Sequence, residues 1–288
     1  MTPRAALSGD AGRGSLRGVS ALVAWGRAAL DRVRIVVGRE PPDTQYARLH
    51  GRAVRKACRR AARGDSLWLR AVPAWRGVPG LDERVVELPW VYERLARGGR
   101  LLDVGSTLNS EWHIEHLCAR FTEITFLNPY RDDGYRSSVA GVSYVERDAR
   151  EPDLPERAFA RITCISTLEH IGCDNTLYGG PTRTEPGLEG PRQARAAAMR
   201  ALRPLVAPGG ALLLTVPYGH LEDHGWFVQL DAHELEDAIS AFAPAAMEAA
   251  YFLFDRGWRA ARPADCADAR YGERTRGSSA AACVALRV

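Results

Sequence analysis

From about residue 84 to the end of the chain, short runs of apolar residues alternate with segments whose apolar positions recur every three or four residues. Runs of the first kind predict buried strands, and segments of the second kind predict amphipathic helices. The predicted strands cover 100–104, 123–127, 142–146, 161–166, 211–216, about 247–255 and about 281–287. Regular alternation of strands and helices predicts a mainly parallel sheet with helices on both of its faces.

Three helices of this region carry clear sequence signals. The first has its apolar stripe at Ile114, Leu117, Cys118 and Phe121. The second presents a face of small and apolar residues and should end or kink at Pro204; that face holds Ala194, Ala197, Ala198, Ala201 and Leu202. The third begins at Asp231, and the spacing to Glu234 resembles a capping box.

Proline and chain-end signals set two further predictions. Residues 84–90 look like a strand or turn that ends at Pro89, and proline favours the first turn of a helix, so we predict a helix from Pro89 to the glycines at 98–99. The last two predicted strands are separated by a polar, helix-poor stretch of about 25 residues, which favours an antiparallel hairpin over a further crossover. The last strand should therefore run antiparallel to the others.

The first 80 residues differ in composition from the rest. Residues 1–19 are rich in glycine, serine and arginine, which predicts disorder. Segments 20–37 and 45–63 predict two basic helices, and the Gly/Pro stretch at 77–80 marks a boundary. We therefore divide the chain into a disordered segment (1–19), a basic helical extension (20–80) and an α/β domain (81–288).

Charge and cysteine usage limit the classes of partner. Residues 1–75 hold fifteen basic against five acidic residues. This basic segment could contact an anionic membrane surface or an acidic partner, but a solvated helical extension is the reading we favour. No nucleic-acid motif and no apolar run long enough to span a membrane is present. Six cysteines without a CxxC pair fit a reducing, cytoplasmic setting.

The stretch 100–109 predicts a strand, a tight turn and the start of a helix. Such a unit at the carboxyl end of a parallel strand is where α/β proteins bind nucleotide-like ligands. Gly105 has no side chain to obstruct a ligand at the turn. We interpret the turn that begins at Gly105 as a cofactor loop.

Four motifs occur in an informative order along the chain. They are Leu101–Gly105, Arg147–Ala149, Cys164–Gly172 and Ala207–Pro217. Together they resemble the class I S-adenosylmethionine-dependent methyltransferases over residues 84–288. The resemblance implies a Rossmann-like sheet of seven strands whose last strand is antiparallel, and it implies S-adenosylmethionine as the cofactor.

The resemblance also implies a set of cofactor residues. In this reading the turn at Gly105 and Ser106 offers backbone donors to the carboxylate of the amino-acid tail, and Asp103 faces its ammonium. Asn128 stands where the family usually has an acid for the ribose, with Asp132 or Asp133 as possible substitutes. Asp148 and Ala149 would contact the adenine, while Ser166 and Glu169 would border the cofactor. The loop also has fewer glycines than the family pattern.

The loops after the fourth and fifth strands should line the acceptor pocket. His170 is our candidate base, because a histidine can take a proton near neutral pH. We predict acceptor contacts from Asp174, Asn175, Tyr178, Tyr218, His220 and Trp226. The Gly/Pro-rich segment 179–191 looks like a mobile cover. A divalent metal at His220, Asp223 and His224 is a minor alternative, and we predict no metal.

These features favour an enzyme that transfers a methyl group from S-adenosylmethionine to a small-molecule or carbohydrate-like acceptor, with oxygen as the preferred atom. Nitrogen and carbon acceptors stay open. One alternative is a non-catalytic binding protein on the same fold, because the loop is poor in glycine and Asn128 replaces an acid. A nicotinamide-dependent oxidoreductase is less favoured, because the G-x-G-x-x-G spacing is missing.

Overall fold

The structure is a computed structural model that describes residues 42–73, 80–130, 137–183 and 187–288. Contacts divide the chain after Leu49 into two units, and the second unit, residues 50–288, holds the sheet. The disorder predicted for 1–19, the helix predicted for 20–37 and most of the boundary predicted at 77–80 lie outside the described residues. The division into three segments stays a prediction.

The helices and strands follow one another in the alternation that the sequence predicts. The described helices are α1 (Pro42–Ala61), α2 (Arg84–Arg94), α3 (Glu111–Cys118), α4 (Glu189–Leu202), α5 (Ala232–Phe242) and the short α6 (Pro263–Cys266). The strands are β1 (Arg100–Val104), β2 (Glu123–Leu127), β3 (Val142–Val145), β4 (Phe159–Ile165), β5 (Val206–Pro217), β6 (Glu222–Asp223), β7 (Val228–Gln229), β8 (Ala246–Phe254), β9 (Trp258–Ala261) and β10 (Ala280–Arg287).

The main sheet has the strand order β3-β2-β1-β4-β5-β10-β8-β9 within the described residues. Strands β1 to β5 pair in parallel with one another. Strand β10 is antiparallel to both β5 and β8. This confirms the predicted Rossmann-like mixed sheet with an antiparallel last strand. The predicted count of seven strands is wrong, because β9 pairs with β8 and makes the sheet eight-stranded.

The additional strand lies in the connection that the sequence predicts to be irregular. β9 has only four residues and two of its side chains are exposed, so it lacks an apolar run. Its position depends on a distant contact, since the Trp258 indole is buried and donates a hydrogen bond to the carbonyl oxygen of Leu81 at 2.8 Å. No local pattern in the sequence reports that contact.

Helix α2 begins five residues before the predicted start at Pro89. The proline therefore lies inside the helix, where its missing N–H leaves the Val85 carbonyl without the usual partner. Nearly the whole helix is buried, from Val85 through Tyr92. Burial of so much apolar surface outweighs the loss of one hydrogen bond. The predicted start was wrong because it used the local proline signal alone.

The remaining helix ends follow local chemistry more closely. Ser110 caps α3 by accepting from the amide of His113, and Asp231 caps α5 by accepting from the amide of Glu234 at 2.9 Å. The second half of the predicted capping box is absent from α5, because the Glu234 carboxylate binds Arg192 and Arg195 instead. Helix α4 ends before Pro204, as predicted.

The part of α1 that follows Leu49 packs against the α/β domain. Ala53, Ala57 and Cys58 are buried, and the ring nitrogen Nε2 of His50 lies 2.6 Å from a carboxylate oxygen of Asp82. The guanidinium of Arg120 donates to a carbonyl just after α1 at 2.7 Å. These contacts attach residues 50–71 to the same compact unit as the sheet.

Candidate functional site

A cavity of about 490 Å³ opens at the carboxyl ends of β1, β2 and β4, and loops after these strands form much of its wall. This is the edge at which open α/β sheets bind ligands, and the volume suits a nucleotide-sized molecule. Eight of the predicted site residues line it: Gly105, Asn128, Asp148, Ala149, Ser166, His170, Asn175 and Tyr178.

Gly105 forms the turn between β1 and the rest of the cofactor loop. Its backbone adopts φ +87°, and its amide donates to the carbonyl oxygen of Leu127 at 2.8 Å. A Cβ atom at this position would lie only 2.2–2.8 Å from three side-chain atoms of Thr167. Positive φ and this close approach both require glycine.

Asp103 is fully buried at the end of β1 and does not line the cavity. One carboxylate oxygen accepts the amide of Leu108 at 2.7 Å, and the other accepts the hydroxyl of Thr163 at 2.7 Å. Burial raises the pKa of Asp103 to about 7, although both hydrogen bonds act to lower it. The predicted contact with a ligand ammonium is therefore corrected: Asp103 holds the loop in place.

We expect the substitution Asp103→Ala to act on folding before it acts on binding. It leaves the buried amide of Leu108 without an acceptor, which should reduce the free energy of unfolding by about 1–3 kcal/mol. Urea denaturation followed by circular dichroism measures the change. Asp103→Asn keeps one acceptor oxygen and should lose less. Equal stability of Asp103→Ala and the wild type would contradict this role.

Ser106 also lies outside the main cavity. It adopts φ +59° and borders a much smaller pocket with Tyr144 and Glu146. The carbonyl oxygen of Ser106 accepts the amide of Asn109 at 3.0 Å, which closes the turn. The loop thus uses several of its own backbone groups, and Ser106 is corrected from a ligand contact to a turn residue.

The loops after β2 and β3 form another part of the cavity wall. Asn128 lines the cavity, and its side-chain oxygen accepts the amide of Tyr130 at 3.2 Å. Asp148 accepts from Arg150 at 3.0 Å and 2.8 Å. Burial would raise the pKa of Asp148, but the bonds from Arg150 outweigh it and hold the pKa below its ordinary value. Asp132 and Asp133 lie outside the described residues.

His170 lies in the loop after β4, with 18% of its side chain exposed. Its Nδ1 is 2.9 Å from the carbonyl oxygen of Trp226. A carbonyl only accepts, so Nδ1 carries the proton and Nε2 of the neutral ring keeps its lone pair. Burial lowers the pKa of His170 to about 4. The ring is therefore neutral at neutral pH.

Glu169 is buried next to His170 and does not line the cavity. Its Oε1 lies 3.9 Å from Nε2 of His170, and its Oε2 has no hydrogen-bond partner among the described residues. Burial raises the pKa of Glu169 well above its ordinary value. Glu169 was predicted to lie beside the cofactor, and this is corrected: it is a buried neighbour of His170 outside the cavity wall.

Three of the six predicted acceptor residues belong to the loop 173–178, and two of these three, Asn175 and Tyr178, line the cavity. The Asn175 amide donates to the carbonyl oxygens of Cys173 at 2.9 Å and His170 at 3.3 Å, which ties the loop together. Tyr178 meets the His170 ring edge-on with centroids 5.5 Å apart. Asp174 is absent from the cavity wall, because its carboxylate accepts the amide and hydroxyl of Thr176 in a local turn.

The segment after β5 turns away from the cavity. Tyr218 is buried against Tyr251, with ring centroids 5.1 Å apart, and His220 is exposed. Trp226 contacts His170 through its carbonyl and through its ring, whose centroid lies 5.2 Å from that of the imidazole. None of the three lines the cavity, so the predicted opposite wall is corrected. Pairing of Tyr218 with Leu230 directs the chain into the β6–β7 hairpin instead.

The minor alternative of a metal site finds no support in the geometry. Asp223 is bound to the guanidinium of Arg183 at 2.9 Å, and the His224 ring stacks on Phe227 with centroids 4.4 Å apart. Across the described residues, no cluster of three or more histidine, cysteine, aspartate or glutamate side chains could hold an ion.

Three arginines of the cavity wall were not predicted from the sequence: Arg84, Arg183 and Arg150, the partner of Asp148. Arg84, at the start of α2, lines the cavity, and its Nη1 donates to Glu87 at 2.9 Å. The other oxygen of Glu87 accepts the hydroxyl of Ser166 at 2.7 Å. Arg183 lines the cavity from the segment 179–191. The misplaced helix start concealed Arg84, since residues 84–88 looked like a strand or turn.

Comparisons with known proteins were made at three levels. No family model matches the chain, and no curated protein matches it. Among solved structures, the chain is similar to an S-adenosylmethionine-dependent methyltransferase from Methanosarcina mazei, with 13% identity over 69% of this chain and 97% of that chain and a TM-score of 0.42. It is also similar to the [4+2]-cyclase SpnF, with 17% identity over 74% of this chain and 85% of that chain and a TM-score of 0.45.

The chain is similar to a third solved structure, phosphoethanolamine N-methyltransferase 2 from Haemonchus contortus in complex with S-adenosyl-L-methionine. The identity is 11%, the match covers 69% of this chain and 51% of that chain, and the TM-score is 0.42. None of the described helices has the length and apolar character needed to cross a bilayer. The order and directions of the strands give this chain a Rossmann-like mixed sheet whose last strand is antiparallel.

Proposed function

We propose that this chain transfers a methyl group from S-adenosylmethionine to a small-molecule or carbohydrate-like acceptor, with oxygen as the methylated atom. One observation carries the proposal. A single cavity brings together the Gly105 turn, Asn128, the Asp148–Ala149 pair and His170, although these residues come from the ends of four different strands. The sequence motifs alone predict a role in this reaction for each of these residues.

The wall chemistry suits the cofactor. The missing side chain at Gly105 lets Thr167 pack against the turn, and both residues line the cavity. Asn128 can donate to and accept from ribose hydroxyls, and the Asp148 carboxylate can accept from the adenine amine. When bound, the sulfonium supplies a methyl carbon already activated for displacement. The protein then has to position an acceptor and exclude water.

His170 is the group that would take the proton from a hydroxyl acceptor. The Trp226 carbonyl fixes the proton on Nδ1, so Nε2 is the atom that accepts. A conjugate acid with a pKa of about 4 makes His170 a weak base that is fully available at neutral pH. The acceptor oxygen would lose its proton to Nε2 as it bonds to the methyl carbon, while the bond from that carbon to sulfur breaks and S-adenosylhomocysteine leaves.

The part of the cavity around His170 has polar walls that suit a hydroxyl-rich acceptor. Asn175 and Tyr178 line it and offer an amide oxygen and a hydroxyl group. The Arg183 guanidinium also lies in this wall, where it is bound to Asp223. Tyr178 is about half exposed and meets the edge of His170, so it can pack on a sugar ring or an aromatic ring at the entrance.

Isothermal titration calorimetry with S-adenosylmethionine tests the proposal most directly. The wild type should bind the cofactor and its product S-adenosylhomocysteine. Gly105→Ala should abolish binding, because its Cβ would overlap Thr167. Gly51→Ala is the matched control, since its Cβ would have ordinary contacts and lies on α1. Absence of wild-type binding would favour the binding-only alternative, in which the loop uses its donors internally.

The acceptor requires a separate experiment. Candidate sugars, phenols and alcohols are incubated with the protein and S-adenosylmethionine, and mass spectrometry detects the gain of one methyl group. Methylation of an amine but not of its hydroxyl analogue would replace oxygen with nitrogen as the acceptor atom.

A further inference from the structure

The cofactor loop has few backbone donors left for an anionic ligand. The amide of Gly105 donates to Leu127, and the amide of Leu108 donates to the carboxylate of Asp103. The amides of Asn109 and Ser110 donate to carbonyl oxygens within the loop. Among the described residues, only the amides of Ser106 and Thr107 in this loop have no such acceptor. The carboxylate of an amino-acid tail would therefore gain from a charged partner elsewhere in the chain.

Arg84 is placed to supply that partner. Its side chain lines the cavity, and Nη1 donates to Glu87 at 2.9 Å. Within the described part of the chain, this is the one hydrogen bond that the structure gives to the Arg84 side chain, so other guanidinium N–H groups remain for a ligand. About 29% of the side chain is exposed, and the cavity supplies the opening.

The contacts behind Arg84 fix it beside the cofactor loop. Glu87 is fully buried, and it binds both the guanidinium and the hydroxyl of Ser166. Ser166 precedes Thr167, whose side chain packs against Gly105. The chain of contacts from Arg84 through Glu87 to Ser166 therefore sets the guanidinium close to the turn at Gly105.

We propose that Arg84 binds the carboxylate of the cofactor's amino-acid tail and supplements the few backbone donors that the loop retains. This inference rests on the proposed function. Arginine suits the task, because its planar fork binds a carboxylate through two parallel hydrogen bonds. Glu87 and Ser166 act as positioning residues that hold the fork.

The charges around Arg84 leave room for one more anion. Within the described ranges, Glu87 is the one carboxylate that forms a salt bridge with it. Burial raises the pKa of Glu83 to about 8, with the nearby Glu87 and Asp82 adding to the effect, so this neighbour is mainly protonated at neutral pH. Burial likewise raises the pKa of Glu169. Two of the acidic neighbours of the guanidinium are thus held in their neutral forms, while Asp82 and Glu87 remain beside it.

A ligand pair that differs by one carboxylate isolates the contact. Calorimetry compares S-adenosylmethionine with decarboxylated S-adenosylmethionine, which keeps the sulfonium and the ammonium. The wild type should prefer the carboxylated ligand by about tenfold or more, as a charge-assisted contact requires. In Arg84→Gln this preference should fall to nearly one, because only the carboxylated ligand loses a contact.

Two further variants keep the test informative. Arg84→Gln/Glu87→Gln removes both charges and avoids an unpaired buried carboxylate, so it should show the same loss of preference even if the single variant unfolds. Arg150→Gln is the matched control, because Arg150 also lines the cavity but binds Asp148. It should affect the two ligands alike and keep their ratio.

The outcomes separate the two proposals. If neither ligand binds the wild type, the proposed function fails. If both ligands bind the wild type but Arg84→Gln and the double variant keep the full preference for the carboxylated ligand, the role of Arg84 is overturned and the proposed function stands. Loss of preference in both variants, with the ratio kept in Arg150→Gln, supports Arg84 as the carboxylate site.

Discussion

Replacing Glu234 with alanine should lower the free energy of unfolding by about 3–5 kcal/mol, because it breaks a buried ion pair and leaves a buried cation behind. Glu234 on α5 binds Arg195 and Arg192 of α4. The side chains of Glu234 and Arg195 are 1% and 2% exposed. The first turn of α4 also lines the cavity, so the pair supports the wall of the candidate site.

Urea unfolding followed by circular dichroism measures this loss of stability, and two further variants serve as controls. Glu236→Ala, on the exposed face of the same helix, should change stability by no more than about 0.5 kcal/mol. Glu234→Leu/Arg195→Met removes both charges and should recover much of the stability. A loss below about 1 kcal/mol in Glu234→Ala would show that the pair is not a structural requirement.

Replacing His170 with alanine should lower kcat by about 100-fold or more while the affinity for S-adenosylmethionine changes little. Nε2 is the one ring atom left to accept a proton, because Nδ1 is bound to the Trp226 carbonyl. Steady-state kinetics with the identified acceptor, together with calorimetry for the cofactor, separates catalysis from binding. His220→Ala is the matched control, because His220 is exposed and lies outside the cavity wall.

The pH dependence provides an independent check on His170. Burial lowers its pKa to about 4, so the ring stays neutral from pH 8 down to about 5 and can accept a proton throughout. The rate limb that reports His170 should therefore lie near pH 4. A limb near 6.5 that disappears in His170→Ala would show that the ring is more hydrated than its burial indicates. Normal turnover in His170→Ala would exclude it as the base.

Much of the sheet was predictable because its strands carry their own signal. The bounds of β1 and β2 match the predicted 100–104 and 123–127 residue for residue, since compact apolar runs stand between polar turns. The predicted 211–216 covers only part of β5 (Val206–Pro217), because the Pro208–Gly209–Gly210 sequence looked like a turn and yet continues the strand. A strand's extent depends on its neighbours as well as on its own residues.

The candidate site was partly predictable for a similar reason. Gly105, Asn128, Asp148 and His170 each follow a strand, and the ends of parallel strands meet at one edge of the sheet. Position along the chain therefore predicts that these residues come together. It does not predict where a side chain points, and so Asp103 was taken to face a ligand when its carboxylate in fact holds the loop.

The succession of strands and helices along the chain, the class of sheet and the residues that follow each strand can be predicted from patterns within a dozen consecutive residues, because periodicity and turn chemistry act over that distance. Contacts between distant segments lie beyond such patterns. Arg84 enters the cavity because α2 is buried despite Pro89, β9 forms because Trp258 reaches Leu81, and Tyr218 and His220 leave the site because the chain pairs at Leu230. Packing among residues far apart in the chain sets these features, and no local window of the sequence contains that packing.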